Sequence, residues 1–230
     1  MIPLARAHDI SVVGGKAARL GELIRLGVPV PAGYVVVDHF EDSVLSGYPA
    51  SQRFAVRSSA SVEDSRHASF AGQFRSVLDV ERAAVPAAIV AVRQSLLNTS
   101  AAAYARSRGI RLPSSLAVIV QEQLRPIRSG VCFTVDPVTA AAELVIEYVD
   151  GLADLMVSGH IDPLATVRIS RAAPVHEELG SVARLVLEVE RLLGDGPQDI
   201  EWAIDAAGVW ILQSRPVTTL AESERVPNDR

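Results

Sequence analysis

The alternation of apolar and polar positions is sharpest in residues 198–216, which read QDIEWAIDAAGVWILQSRP. Two alternating runs flank a turn that ends in Gly208. A period of two predicts two half-buried strands, and a three-residue loop over 206–208 places Gly208 in the left-handed conformation that such hairpins require. We therefore expect a β-hairpin here.

The register that follows from this loop gives the hairpin two chemically different faces. Directly opposed residues of an antiparallel pair point to the same side, so Trp202 and Trp210 share an apolar face with Ile and Leu side chains. The other face groups polar side chains in the opposed pairs Glu201–Gln213 and Asp199–Arg215. Hard oxygen ligands beside a guanidinium suit Mg²⁺ and phosphate, although a hairpin with one solvated face explains the same alternation.

The remaining periodicity predicts several helices and short strands. Apolar residues at helical spacing predict a helix that ends at Gly27, a short helix from His39, and helices over 81–98, up to Arg108 and over 177–193. Apolar runs predict strands over 34–37, 54–56, 116–120, 130–135 and 143–149, with a further hairpin within 155–169. Residues 112–115 are typical of a linker.

Composition and charge exclude several classes of protein. The net charge of −5 argues against a general nucleic-acid or anionic-membrane binder. The single cysteine, Cys132, lies in an apolar run and cannot form an internal disulfide, which fits a reducing compartment. No apolar run approaches the length of a membrane span, and the N-terminus lacks the apolar stretch of a signal peptide. We expect a soluble, cytoplasmic chain.

Two further stretches contain groups that suit an anion. Lys16 stands at the start of a helix after two glycines, where a bound phosphate would offset the unfavourable interaction of its charge with the helix dipole. Arg57 ends a strand and precedes hydroxyl and small residues, as a phosphate-binding loop requires. A solvated lysine and an ordinary surface loop are the alternative interpretations.

Six blocks, in order, resemble one known family. They are 14–33 with its Gly-Gly-Lys and Val-Pro-Val-Pro-Ala-Gly segments, 56–64, 69–73, 118–137, 197–203 and 212–216. This arrangement is similar to the ATP-binding domain of the phosphoenolpyruvate synthase and pyruvate phosphate dikinase family, which rifampin phosphotransferases share. The resemblance runs from about residue 12 to residue 219.

The resemblance implies an α+β architecture of the ATP-grasp type, in which two α/β lobes with mainly antiparallel sheets clasp ATP. The N-terminal lobe would comprise residues 1–111 and the C-terminal lobe residues 112–220, followed by a flexible tail over 221–230.

The resemblance also implies the ligands, ATP and Mg²⁺, and the residues that contact them. Phosphate contacts fall to Lys16, Arg57 and a small-residue loop that includes Ser69, Ala71, Gly72 and Gln73. The adenine would meet Gln121, Glu122, Gln123 and Leu124. Magnesium would be held by Glu201 and Gln213. Arg215 would stabilise the transferring phosphoryl group, and Asp199 would orient Arg215 or hold a metal-bound water. Lys16 and Arg57 would also take part in the transfer.

Three departures from the family pattern bear on function. The segment from Val37 to Phe54 is shorter than usual, and the family's Gly-Leu-Gly-Glu turn is Gly151-Leu152-Ala153-Asp154 here. The sequence also lacks the swivelling domain with its phosphorylated histidine and the substrate domain that follows it in the dikinases. We therefore expect an ATP-binding half that passes a phosphoryl group to a histidine on a separate partner protein.

Two other functions remain open at this point. A stand-alone ATP-grasp enzyme would phosphorylate or ligate a small molecule directly. A non-catalytic nucleotide-binding module would need no acceptor, but the retained basic and acidic site residues argue against it. Neither nucleic acid nor a membrane is expected as a partner.

Overall fold

Two five-stranded antiparallel sheets form the framework of the computed structural model, which describes residues 1–60, 76–95 and 116–217. The strands of the first sheet are β1 (Ile2–Pro3), β2 (Gly33–Val36), β3 (Arg53–Ser59), β4 (Ser76–Glu81) and β5 (Ala117–Glu122). Those of the second are β6 (Arg128–Phe133), β7 (Glu143–Asp150), β8 (Ala165–Ser170), β9 (Gln198–Asp205) and β10 (Gly208–Pro216). The spatial orders are β1-β2-β5-β3-β4 and β10-β9-β6-β7-β8.

The described part of the chain contains fewer α-helices than strands. They are α1 (Ile10–Val13), α2 (Gly15–Arg25), α3 (Val85–Gln94), α4 (Asp154–Val157) and α5 (Gly180–Leu193), with 3₁₀ turns over Leu4–Arg6, Asp42–Leu45 and Arg82–Ala84. The predicted α+β class is confirmed. Within the described ranges, none of these helices has the length and apolar character needed to cross a bilayer.

The apolar residues form two main cores. The larger one joins both sheets, because α2 contributes Leu20 and Leu23 to the same cluster as Ile119 of the first sheet and Trp202 of the second. The opposite face of the first sheet packs against α3. Helix α2 is therefore held between the two sheets, and this fixes its N-terminal end relative to β9 and β10.

Both ends of α2 depend on a glycine with positive φ. Gly27 ends the helix in a Schellman motif, in which the Gly27 amide donates to the Ile24 carbonyl and the Val28 amide donates to the Leu23 carbonyl. Gly14 precedes the helix, and a Cβ atom built there would lie 2.1 Å from the carbonyl oxygen of Ser59. The start of α2 is therefore packed directly against the end of β3.

Strand β5 lies in the sheet that contains the N-terminal strands β1 to β4. Residues 116–120 are predicted to begin the C-terminal lobe, but β5 is the central strand of the first sheet, hydrogen-bonded to β2 on one side and β3 on the other. The division between residues 111 and 112 lies outside the described residues and stays a prediction, as does the tail over 221–230.

Several local predictions are also corrected. The short helix from His39 is a 3₁₀ turn that begins at Asp42, and the helix over 81–98 is a 3₁₀ turn followed by α3, which ends at Gln94. No hairpin forms within 155–169, because α4 precedes β8 and β8 pairs with β7 instead. The helix up to Arg108 and the linker over 112–115 lie outside the described residues.

We predict that Gly14→Ala destabilises the fold more than Gly27→Ala. The two glycines have nearly equal φ values of 78° and 81°, but no atom lies within 4 Å of the Cβ position at Gly27. Gly27→Ala should cost about 1 kcal/mol from the left-handed backbone, and Gly14→Ala about 3 kcal/mol, because its φ of 78° and ψ of 165° suit glycine and the added methyl clashes with Ser59. Urea unfolding of both variants measures the difference. Equal losses would show that the contact with Ser59 relaxes freely.

Candidate functional site

The β9–β10 hairpin has a two-residue turn and a bulge. Gly208 has the predicted positive φ, but it opens β10 opposite Asp205 instead of closing a three-residue loop. The Asp205 carboxylate stabilises the turn by accepting from the backbone amides of Ala207 and Gly208. The register then shifts by one residue between Ile211 and Gln213. Near the turn, therefore, the predicted register is wrong.

Beyond the bulge, the predicted pairs are confirmed. Glu201 lies opposite Gln213, and Asp199 lies opposite Arg215, so the four polar side chains share one face. The tryptophans, in contrast, are separated. Trp202 is fully buried in the core, whereas Trp210 lies opposite Ala203 on the other face and donates its Nε1–H to the Asp205 carboxylate at 2.9 Å. The prediction of one face with both tryptophans is therefore wrong.

Arg57 reaches from the first sheet to this hairpin. Its Nη1 donates to the Leu212 carbonyl at 2.8 Å, and its Nη2 donates to Glu201 Oε2 at 2.8 Å and to Gln213 Oε1 at 3.0 Å. The Arg57 side chain is 13% exposed and that of Glu201 is 21% exposed. These charge-assisted contacts join β3 directly to both strands of the hairpin.

The contacts of Arg57 indicate that a positive charge fits between Glu201 and Gln213. One carboxylate oxygen and one amide oxygen approach the same guanidinium nitrogen, so two hard oxygens already converge on one point of positive charge. This donor set fits Mg²⁺, which commonly takes one or two protein ligands and completes its shell with water and phosphate oxygens. In the described ranges, no cluster of three or more His, Cys, Asp or Glu side chains could hold a metal by itself.

Arg215 is held by its neighbour on β9. Its Nε and Nη2 both donate to Asp199 Oδ2, at 2.8 and 2.6 Å. Burial raises the pKa of Asp199 above the ordinary aspartate value, and the charge of Arg215 acts in the opposite direction. The two-point contact fixes the plane of the guanidinium.

Lys16 lies in the first turn of α2 and is 9% exposed. The N-terminus of this helix is satisfied from β3, because the Ala17 amide donates to Ser59 Oγ at 2.9 Å and the Gly15 amide donates to the Ala60 carbonyl. Ser59, two residues after Arg57 on β3, therefore caps the helix that carries Lys16, and the two basic residues are held in a fixed relation.

A cavity of about 590 Å³ lies between the two sheets. It is lined by most of the predicted site residues, namely Lys16, Arg57, Gln121, Glu122, Gln123, Leu124, Glu201, Gln213 and Arg215. Asp199 does not line the cavity, but it contacts Arg215, which does. The predicted phosphate loop with Ser69, Ala71, Gly72 and Gln73 lies outside the described residues.

The segment predicted to meet adenine lines the cavity, but two of its side chains are engaged elsewhere. Gln121 donates its amide to the Pro31 carbonyl at 2.8 Å. Glu122 interacts with the Tyr48 hydroxyl; burial and the Glu122 charge raise the pKa of Tyr48 to about 12. Any contact with a base at these two positions would therefore come mainly from the backbone.

The sequence pattern alone does not find one wall of the cavity. Leu152, Ala153 and Asp154, together with Val157 and Ser158 of the α4 region, line it opposite the first sheet. In the sequence, the one feature that drew attention to this wall is the turn over 151–154, which departs from the family pattern. Gly130 also lines the cavity, and a side chain there would meet the Glu147 carbonyl of β7 at 2.0 Å.

A family model and the curated relatives of this chain indicate the same family. A family model described as the pyruvate phosphate dikinase AMP/ATP-binding domain matches residues 37–176 and 166–230. The probable phosphoenolpyruvate synthase of Archaeoglobus fulgidus is 29% identical over 311 aligned positions, which cover 95% of this chain and 41% of that protein. A rifampicin phosphotransferase from a Streptomyces species is 28% identical over 93% of this chain and 35% of its own length. The chain thus spans less than half the length of these relatives.

Solved structures agree at the level of the fold. An L-amino acid ligase from Bacillus licheniformis matches with a TM-score of 0.51 and 14% identity, over 88% of this chain and 42% of its own. The D-alanine-D-alanine ligase from Coxiella burnetii matches with a TM-score of 0.51 and 8% identity, over 91% of this chain and 49% of its own. The predicted ATP-grasp fold is confirmed.

Proposed function

Because the chain belongs to the pyruvate phosphate dikinase AMP/ATP-binding domain family, we propose that it binds Mg-ATP between its two sheets and passes a phosphoryl group to a histidine on a separate partner domain. The observation that carries this proposal is the composition of the cavity. Lys16, Arg57 and Arg215 line it together with Glu201 and Gln213, so anion-binding and cation-binding groups share one space. Phosphoryl transfer requires this combination of charges.

Each basic residue has a distinct proposed role. Lys16 and Arg57 bind phosphate oxygens, and Arg215 stabilises charge on the transferring group. Asp199 positions Arg215 through the two hydrogen bonds to its Oδ2 atom. Glu201 and Gln213 would hold Mg²⁺, which supplies Lewis-acid charge neutralisation when bound. Residues 121–124 bind the base through the backbone, since the side chains of Gln121 and Glu122 have other partners.

The proposed acceptor lies outside this chain. The relatives are more than twice as long as the matched span, so they contain additional parts that this chain does not cover. In the proposed reaction, ATP, water and the partner histidine give phosphohistidine, AMP and phosphate. The β-phosphoryl group goes to the histidine and the terminal phosphate is released to water.

Phosphorus-31 NMR with Mg-ATP tests this function. The chain should form AMP and phosphate only when an isolated phosphohistidine domain of a phosphoenolpyruvate synthase is added, and Glu201→Gln should abolish the reaction. ADP or AMP formed by the chain alone would contradict the split arrangement and favour an enzyme with a small-molecule acceptor. No turnover, combined with no nucleotide-induced shifts, would reduce the chain to a non-catalytic module.

We predict that Arg215→Lys lowers turnover more than nucleotide affinity. Lysine keeps the charge but loses the planar two-point contact with Asp199, so the cation is no longer oriented for the transition state. In the AMP-forming reaction, kcat should fall at least about tenfold, while the Kd for Mg-ATP changes less than about threefold. Asp199→Asn should shift the same two quantities in the same directions. An equal loss of kcat and affinity would assign Arg215 to ground-state binding.

A further inference from the structure

We propose that Arg57 makes the cavity selective for a divalent cation and a polyphosphate that arrive together, because its guanidinium occupies the cation position until a phosphate takes it away. This inference rests on the proposed function and adds a binding rule to it. The rule concerns Arg57, Glu201 and Gln213, and it comes from their contacts with one another.

The contacts place positive charge where a metal ion would lie. Glu201 Oε2 and Gln213 Oε1 both accept from Nη2 of Arg57, at 2.8 and 3.0 Å. The same two oxygens are the proposed magnesium ligands. A metal ion held by both of these oxygens would lie where Nη2 lies and would meet its positive charge, so a cation enters this position only after Arg57 has moved.

A free cation gains little from that exchange. If it displaced Arg57, the guanidinium would lose its carboxylate partner while its side chain is only 13% exposed. Of the acceptors that Arg57 has among the described residues, Glu201 is the one with a formal charge, and the Leu212 carbonyl is neutral. Leaving a largely buried cation without a counter-charge is costly, and that cost opposes the binding of the metal.

Binding of a nucleotide without a metal ion would instead leave the Glu201 carboxylate without a counter-charge. The phosphates of the nucleotide can attract Arg57, but the Glu201 carboxylate would then face the polyphosphate without a cation between them. Like charges in a partly buried site repel strongly. When the nucleotide and the divalent cation bind together, neither cost arises. The Arg57 guanidinium then contacts phosphate in place of Glu201, and the Glu201 carboxylate contacts the metal in place of Arg57.

Manganese binding to the complete chain without nucleotide tests the proposal. Electron paramagnetic resonance measures free Mn²⁺, and Arg57→Gln should bind Mn²⁺ about tenfold more tightly than the wild type, because the competing guanidinium is gone. The same variant should bind Mn²⁺ with the non-hydrolysable nucleotide AMP-PNP more weakly, because a phosphate contact is lost. Removing one residue should therefore shift the two affinities in opposite directions.

Two control variants separate this effect from a general change of charge. Arg53 lies on the same strand and face as Arg57 and is paired with Glu81 at 2.8 Å. Arg53→Gln removes the same charge and should leave Mn²⁺ affinity unchanged. Adding Glu201→Gln to Arg57→Gln should abolish the gain in Mn²⁺ affinity. If Arg57→Gln fails to fold by circular dichroism, Arg57→Met, which keeps a long unbranched side chain, replaces it.

The outcomes also separate this inference from the proposed function. Mn²⁺ affinity that is unchanged or weaker in Arg57→Gln overturns the role of Arg57, even if the wild type binds Mn²⁺ with AMP-PNP. A wild type that fails to bind Mn²⁺ with AMP-PNP overturns the proposed function. An equal gain in Arg53→Gln would reduce the effect to general electrostatics and would also overturn the inference.

Discussion

The geometry of the cavity depends on one extra residue in strand β10. Leu212 has no partner on β9, and the ladder shifts by one residue on either side of it. Without that shift, the two-residue turn would place Gln213 opposite Ile200 and direct it to the core face. With the shift, Gln213 lies opposite Glu201. The unpaired residue also presents its carbonyl to Arg57. The bulge therefore creates the polar face and supplies one of the contacts that join the two sheets.

The same bulge explains how far the hairpin could be predicted from sequence. A three-residue loop and a two-residue turn with one bulged residue give the same register beyond Leu212, so the alternation correctly pairs Asp199 with Arg215. Alternation records which face a residue occupies, but it does not record where an extra residue is inserted. Between the turn and the bulge the register is therefore off by one, and Trp210 lies on the face opposite to the one expected.

Elsewhere, the features that could not be predicted are contacts between parts of the chain that are distant in sequence. Strong local periodicity identified α2 and α5, and a glycine ends both helices. Strand β4 was missed because it is an edge strand with a single buried position. Local pattern cannot show that β5 belongs to the first sheet. Nor can it show that Arg57 reaches Glu201, which lies 144 residues further along the chain.

Two of the three basic side chains that line the cavity are paired with carboxylates of one strand. Strand β9 contributes a carboxylate to Arg57 through Glu201 and another to Arg215 through Asp199. Without them, two arginines and Lys16 would concentrate positive charge in a space of about 590 Å³, and their repulsion would oppose closure of the sheets. Binding of a polyphosphate with its metal is then an exchange of partners, in which anion and cation replace contacts that the chain already makes. A site built in this way binds a highly charged ligand by replacing contacts between its own charged side chains.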